Sequence, residues 1–352
     1  MTPSLPPVFP DRYDALLLVS FGGPERAEDV IPFLENVLRG KNVPRERMLE
    51  VAEHYYHFGG KSPINEQNRA LIAALESELS AQGPTLPIYW GNRNWHPMLA
   101  DTLRQMRADG IRRALVFATS AFGSYSGCRQ YREDIERARA EVGPGAPEIH
   151  KLRTFHDHPG FIQAMADRVR EALNRIPEDR RAAAPLLFTA HSIPISMAET
   201  SPYVAQLLES CGLVSQAVDH AGVLVYQSRS GPPTQPWLEP DVCDSIRHLQ
   251  AGGGLKDLVL APIGFLSDHM EVVYDLDTEA AALCRELGVN LSRAATAGVH
   301  PAFVSMIREL ILERTEDSER RCLGTASAGC DTCGLACCPP PKRAPVKSAE
   351  AR

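Results

Sequence analysis

With 352 residues, 44% of them hydrophobic and 23% charged, the chain is long enough to bury the cores of two ordinary domains. Its formal net charge of -7, with Lys and Arg scattered rather than massed on one stripe, leaves no electrostatic footprint for nucleic acid. No apolar run approaches the ~18 residues of a membrane span, and residues 1–10 are Pro-rich without an apolar stretch, so a cytoplasmic protein with a short disordered lead is expected.

Short runs of Val, Leu, Ile and Phe alternate along the chain with longer segments of helical period, the pattern of a parallel α/β sheet. The first half predicts strands at 15–20, 86–90, 114–119 and 148–152, with helices at 65–79 and 98–107. The second half repeats the scheme with strands at 186–190, 222–227, 258–262 and 289–294 and helices at 159–174, 242–250 and 271–287. Two doubly wound, Rossmann-like domains with parallel four-stranded sheets are therefore expected, at 12–155 and 156–296. A last helix at 301–314 should pack back on the first domain. A Cys-rich extension occupies 315–338, and the Pro-rich basic stretch 339–352 reads as a disordered tail.

In open α/β sheets, ligands bind beyond the carboxyl ends of the strands, which selects three segments. Phe21-Gly22-Gly23-Pro24 follows the first strand, but it lacks the third glycine of a dinucleotide fingerprint and reads on its own as a tight turn. His191-Ser192-Ile193-Pro194 follows the fifth. An imidazole there can take a proton or hold a metal near neutral pH, or it can serve packing alone. The seventh strand leads to Asp268-His269-Met270-Glu271, a dense ionisable group that offers N and O ligands to a divalent cation or a carboxylate base. The competing reading is that Asp268 caps the next helix and His269 bonds to backbone.

These segments, Thr189 to Pro194 and Pro262 to Asp275, resemble the two signature segments of ferrochelatases. Leu18 to Pro24, Phe58 to Ile64, Gly91 to Trp95, Gln227 to Gly231 and Pro236 to Asp241 resemble further blocks of that family in the same order, so the likeness covers about residues 12–315. It implies a chelatase-like fold and an enzyme that inserts Fe²⁺ into a porphyrin in haem synthesis. It also implies that His191 and Glu271 face each other across a cleft as catalytic groups and ligands of the incoming Fe²⁺, with His191 neutral and Asp268 and His269 orienting the pair. Ser62 and Tyr131 match macrocycle contacts of bacterial members. Phe21 stands where some relatives carry a Tyr implicated as an iron ligand, and a phenyl ring cannot coordinate. The texture of Gly91 to Trp95 and Gln227 to Asp241 is most similar to actinobacterial enzymes that use coproporphyrin III. No apolar membrane-facing lip is evident in the sequence, which also favours that more carboxylated substrate over protoporphyrin IX. A non-catalytic porphyrin or haem carrier and a cobalt or nickel chelatase are the other readings. Expected partners are the porphyrin and, transiently, neighbouring haem-pathway enzymes.

Of nine cysteines, Cys322, Cys330, Cys333, Cys337 and Cys338 crowd the C-terminal stretch. In a reducing compartment such crowding reads as a metal or iron–sulfur site rather than disulfides. Cys330, Cys333 and Cys338 are spaced to hold one edge of a [2Fe–2S] cluster, and a zinc site or free thiols are the alternatives. The spacing resembles the C-terminal cluster motif of those ferrochelatases that carry [2Fe–2S]. That resemblance makes Cys128, in Tyr125-Ser126-Gly127-Cys128, the fourth ligand, with Cys322 and Cys337 as substitutes. Cys211, Cys243 and Cys284 fall in helical segments and are expected to be inert core thiols.

Overall fold

The computed structural model describes residues 12–41, 43–231, 234–325, 328–329, 331, 333–334 and 336–340. The first half runs β1 (Ala15–Ser20), α1 (Val30–Leu38), α2 (Arg45–His57), α3 (Ile64–Gln82), β2 (Ile88–Asn92), α4 (Leu99–Ala108), β3 (Arg113–Ala118), α5 (Gln130–Val142) and β4 (Glu148–Lys151). Its strands form a parallel sheet in the order β2-β1-β3-β4. The second half continues with α6 (Pro159–Asn174), α7 (Glu178–Arg181), β5 (Leu186–His191), α8 (Ile195–Ala198), α9 (Tyr203–Val218) and β6 (Gly222–Gln227). It ends with α10 (Val242–Ala251), β7 (Asp257–Ala261), α11 (Met270–Val272), α12 (Ala281–Glu286), β8 (Asn290–Arg293) and α13 (Pro301–Thr315). This second parallel sheet has the order β6-β5-β7-β8, the same topology as the first.

The central strands are mostly apolar because helices cover both faces, with polar residues such as Ser20 and Asp257 at their ends. All six residues of β1 and all five of β7 are buried, as a parallel sheet requires. Helix starts follow local chemistry. His158 and His300 each accept a backbone N–H at the start of a helix that opens on proline, and Asp241 caps α10.

One continuous core spans both halves, joining Leu16 and Leu18 of β1 to Leu186 and Phe188 of β5 through α3, α6 and α13. Phe117, Phe155, Phe161 and Phe303 meet there edge to face or stacked. Helix α13 lies against both α3 and α6, rather than on the first half alone as the sequence suggested. It is held there by a buried fork in which Arg153 donates to both carboxylate oxygens of Glu313 at 2.8 Å. Losing one partner of such a buried pair costs about 3–5 kcal/mol.

Two elements depart from expectation for physical reasons. Pairing of β2 begins at Ile88 rather than 86, after Pro87, which has no N–H to donate and contributes only its carbonyl to Leu16. The expected helix 271–287 is continuous but widens into a π-helical stretch over Val273–Ala280. A second π-helical stretch, Tyr125–Arg129, leads into α5. Such wide turns cluster at functional sites, and apolar periodicity does not reveal them.

Candidate active site

The two sheets present their carboxyl ends to one cleft. Within each sheet, tight turns after the strands need glycine. Gly22 has φ +81°, and a Cβ there would sit 2.8 Å from that of Asn92; a Cβ on Gly264 would sit 2.7 Å from the Ala190 Cα.

His191 is the last residue of β5, paired in register with Gln227 of β6. Its Nδ1 donates to the Ser192 carbonyl, which leaves Nε2 facing outward, and Ser192 is itself pinned by donating to the Leu238 carbonyl at 2.8 Å. The Glu271 carboxylate lies 3.7 Å from His191 Nε2. The two groups are therefore neighbours on one wall, both from the second half, and do not oppose each other across the cleft as the resemblance suggested. Adjacency has an electrostatic cost and return. Desolvation in the cleft works to raise the Glu271 pKa, but His191, His269 and Lys41 outweigh it and hold Glu271 down at about 2. Desolvation likewise works to lower His191, and the Glu271 charge reverses that and raises it. The pair is thus electrostatically coupled, the Glu271 charge favouring the protonated imidazole and the His191 charge favouring the carboxylate.

Asp275 lies one helical turn beyond Glu271. Burial pushes its carboxyl up to about 7, against hydrogen bonds from Ser228 and from Gln227 at 3.2 Å. Gln227 also donates to the Glu271 carbonyl at 3.3 Å, so β6 braces this helix from below. The expected roles of Asp268 and His269 divide. The Asp268 carboxylate takes Arg293 at 3.1 Å instead of orienting the pair, and it does not cap the helix. Its backbone N–H donates to Gln67 of α3 at 2.8 Å, a direct tie between the halves. His269 precedes α11 and reaches Glu271 at 3.8 Å, while burial lowers its pKa.

The facing wall comes from the first half. Phe21 is 37% exposed and lies edge-on to Phe33, with the Arg93 guanidinium 5.8 Å from its ring. Arg93 also covers the Tyr131 ring at 4.4 Å and is ion-paired with buried Asp134. Ser62 and Tyr131, at 2% and 5% exposure, sit beneath this wall and offer almost no free surface to a macrocycle. Lys41 has its pKa lowered by desolvation and by Arg93, and it acts electrostatically on Glu271. At the side of the cleft, His54 of α2 stacks on Tyr274 with ring centroids 3.6 Å apart, a second bridge between the halves. Val43, Leu49 and Tyr56 are exposed apolar side chains around α2, but Arg45, Glu46, Arg47 and Glu50 interrupt them. Sequence reading gave Lys41, Arg93, Gln227, Ser228 and Asp275 no role. Only Asp275 had a local signal, its i+4 spacing from Glu271.

A second cavity, of about 310 Å³, lies behind the first sheet and is lined by Cys128, Cys333, Cys337 and Cys338 together with Arg129, Arg132, Lys151 and Arg314. Cys128 is held in the π-helical stretch before α5, where Ser124 accepts from the Gly127 N–H at 2.9 Å. Arg132 donates to the Cys333 carbonyl at 3.1 Å, docking the C-terminal segment against α5. A hydrogen bond with Cys333, aided by Lys151 and Arg132, outweighs burial and brings Cys128 down to about 6, within reach of thiolate. Four thiols in a basic cavity suit an anionic iron–sulfur group. Cys330 lies outside the described residues, and Cys322 does not line the cavity. Burial pushes Cys211 and Cys243 to about 12 and Cys284 to about 11, as expected of unreactive thiols, although Cys243 is only partly buried.

Among the described residues no helix is long and apolar enough to cross a membrane. A sirohydrochlorin chelatase, SirB of Bacillus subtilis subspecies spizizenii, solved in complex with cobalt, shares the fold with a TM-score of 0.53 at 12% identity, over 87% of this chain and 97% of that one. A protein described as ferrochelatase from Rhodopirellula baltica is 60% identical over 337 residues, covering 95% of this chain and 96% of its own. The coproporphyrin III ferrochelatase of Nocardia farcinica is 52% identical over 94% of this chain and 97% of its own, and that of Streptomyces coelicolor is 51% identical over 96% of each. The ferrochelatase family model matches residues 13–315, and with the His191 and Glu271 geometry already in view, the chain belongs to the ferrochelatase family.

Proposed function

We propose that this enzyme inserts Fe²⁺ into coproporphyrin III to give coprohaem. The observation that carries the chemistry is the 3.7 Å approach of His191 Nε2 to the half-exposed Glu271 carboxylate. The substrate assignment rests on the actinobacterial relatives of about half identity that are described as coproporphyrin III enzymes.

Metallation releases two pyrrole N–H protons for each Fe²⁺ bound. Glu271 raises the His191 pKa, and once His191 is deprotonated Nε2 is free to take the metal or a pyrrole proton, because Nδ1 is committed to the Ser192 carbonyl. Glu271 stays ionised and offsets the cation's charge. Asp275, poised at about 7, is the acceptor that draws protons away along the helix. Phe21 supplies an apolar face for the ring, and exposed Lys41 supplies positive charge toward propionates, while Arg93, paired with Asp134, backs the Phe21 ring.

The cysteine cavity is the seat of a [2Fe–2S] cluster held by Cys128, Cys330, Cys333 and Cys338, with Cys337 the nearest substitute. When bound, that cluster supplies a one-electron redox centre. The chain's own contribution is to fasten the C-terminal segment to α5 and to keep Cys128 low in pKa. The enzyme acts in the cytoplasm, with haem-pathway enzymes as transient partners.

The deciding experiment is anaerobic turnover with Fe²⁺ and either porphyrin, read by absorbance of the product. Faster metallation of coproporphyrin III supports the assignment, and preference for protoporphyrin IX reverses the substrate. Tight porphyrin binding without metallation makes the chain a carrier. For the cluster, visible absorption typical of [2Fe–2S] should vanish in Cys333→Ser.

A further inference from the structure

Glu209 of α9 and His156 and Asp157, in the loop after β4, form the one group of three metal-ligating side chains among the described residues whose donor atoms all approach within 4.8 Å of one another. They lie outside the active cleft and outside the cysteine cavity. His156 Nε2 meets Glu209 at 3.0 Å, so in the neutral imidazole that nitrogen donates and Nδ1 carries a lone pair. Nδ1 faces an Asp157 oxygen at 3.9 Å. Both atoms are buried without a hydrogen-bond partner, and Asp157 as a whole is 2% exposed. Two buried acceptors confronting each other are costly unless a positive centre lies between them.

We propose that a divalent cation of the zinc type binds between His156 Nδ1 and Asp157 Oδ1. Glu209 holds the imidazole from its other nitrogen, the arrangement by which carboxylates orient metal-bound histidines. The 3.9 Å separation is within about half an ångström of that between two donors on one tetrahedral zinc, roughly 3.4 Å. The site also governs the C-terminal segment. The Leu323 N–H donates to the Asp157 carbonyl, and the Thr325 N–H donates to Glu209, both at 2.9 Å. Gly324 leaves no room for a side chain, since a Cβ there would lie 2.7 Å from oxygens of both acids. A cation at this point fastens the C-terminal segment to α9, a second anchor distinct from the cysteine cavity.

The test uses the full chain carrying His191→Ala, so that zinc at the catalytic pair does not contribute, and Zn²⁺ alone as probe. Equilibrium dialysis should give one tightly held Zn²⁺ per chain at this site, with Asp157→Asn added to the same background lowering affinity by at least about 30-fold. Zinc X-ray absorption should show nitrogen and oxygen neighbours without sulfur, which separates this site from the cysteines. Zinc should also raise Tm by a few degrees and slow proteolysis near Thr325 in the parent, with neither effect in the variant. Unchanged affinity in Asp157→Asn, sulfur in the zinc shell, or no bound zinc in the parent overturns the proposal. Should Asp157→Asn not fold, Glu209→Gln and the parent's absorption spectrum decide it by the same outcomes.

Discussion

The two sheets share one strand order, yet their carboxyl ends do different work. Beyond β1 stand Phe21, Gly22 and Gly23, with Arg93 and Lys41 near by, an apolar and cationic wall with no ligand for a soft divalent metal. At the end of β5 and beyond β7 stand His191, Glu271 and Asp275, a row of electrostatically coupled ionisable groups. On the function proposed above, the same topology serves two tasks, holding a ring on one side and doing chemistry on the other. The fold supplies the positions, and the side chains at the strand ends decide the function.

Substitutions can break that division in order of expected severity. His191→Ala removes the nitrogen at the centre of the chemical wall, and anaerobic Fe²⁺ turnover should fall by about 10³-fold or more with the Tm within a degree or two of the parent. Substantial remaining activity would take the chemistry away from this wall.

Glu271→Gln should cost about 10²-fold. It also tests the pair electrostatically. Glu271 raises the His191 pKa, and metal needs the unprotonated Nε2, so kcat/KM should fall as pH drops through that raised value. Removing the carboxylate lowers the His191 pKa and should move the acid limb to lower pH. An unmoved limb would mean that His191 is not the titrating group.

Asp275→Asn is expected to lose about 10-fold in turnover while gaining stability in base. The folded-state pKa of about 7 lies above the ordinary carboxylate value. The native fold therefore favours the protonated form, and its stabilising contribution is lost as pH rises through 7. Asparagine cannot ionise and keeps an acceptor for Ser228, so the variant's Tm should exceed the parent's at pH 8 and match it only below about pH 4, where the unfolded carboxyl is protonated too. The smallest effect belongs to the holding wall. Phe21→Ala should raise the porphyrin KM by about 2- to 5-fold with little change in kcat, and a kcat loss instead would bring Phe21 into the chemistry.

Much of this was legible in the amino-acid order. The runs at 15–20 and 222–227 are strands at those bounds, because short β-branched and aliphatic runs fit a parallel sheet whose central strand β1 is buried along its length and whose edge strand β6 is buried from Leu224 onward. His191 and Glu271 stood out because chemistry-bearing residues directly after apolar runs are unlike core. Their contact was not legible, since 79 residues separate them in the chain. It arises because β7 pairs with β5, with Phe188 in register with Ala261, which brings the chain after β7 back beside the end of β5. The burial of Ser62 beside Gly23 and of Tyr131 under Arg93, and the pairing of Asp268 with Arg293, were hidden for the same reason. Periodicity and composition are properties of neighbours in sequence, and they determined the strands and the helices, while the signature segments carried the family resemblance. Strand order, a widened helical turn and the local field of approaching charges are properties of neighbours in space. Only the tertiary structure decided which wall each residue serves and in what protonation state, because burial and Coulomb interactions depend on distances that chain order does not contain.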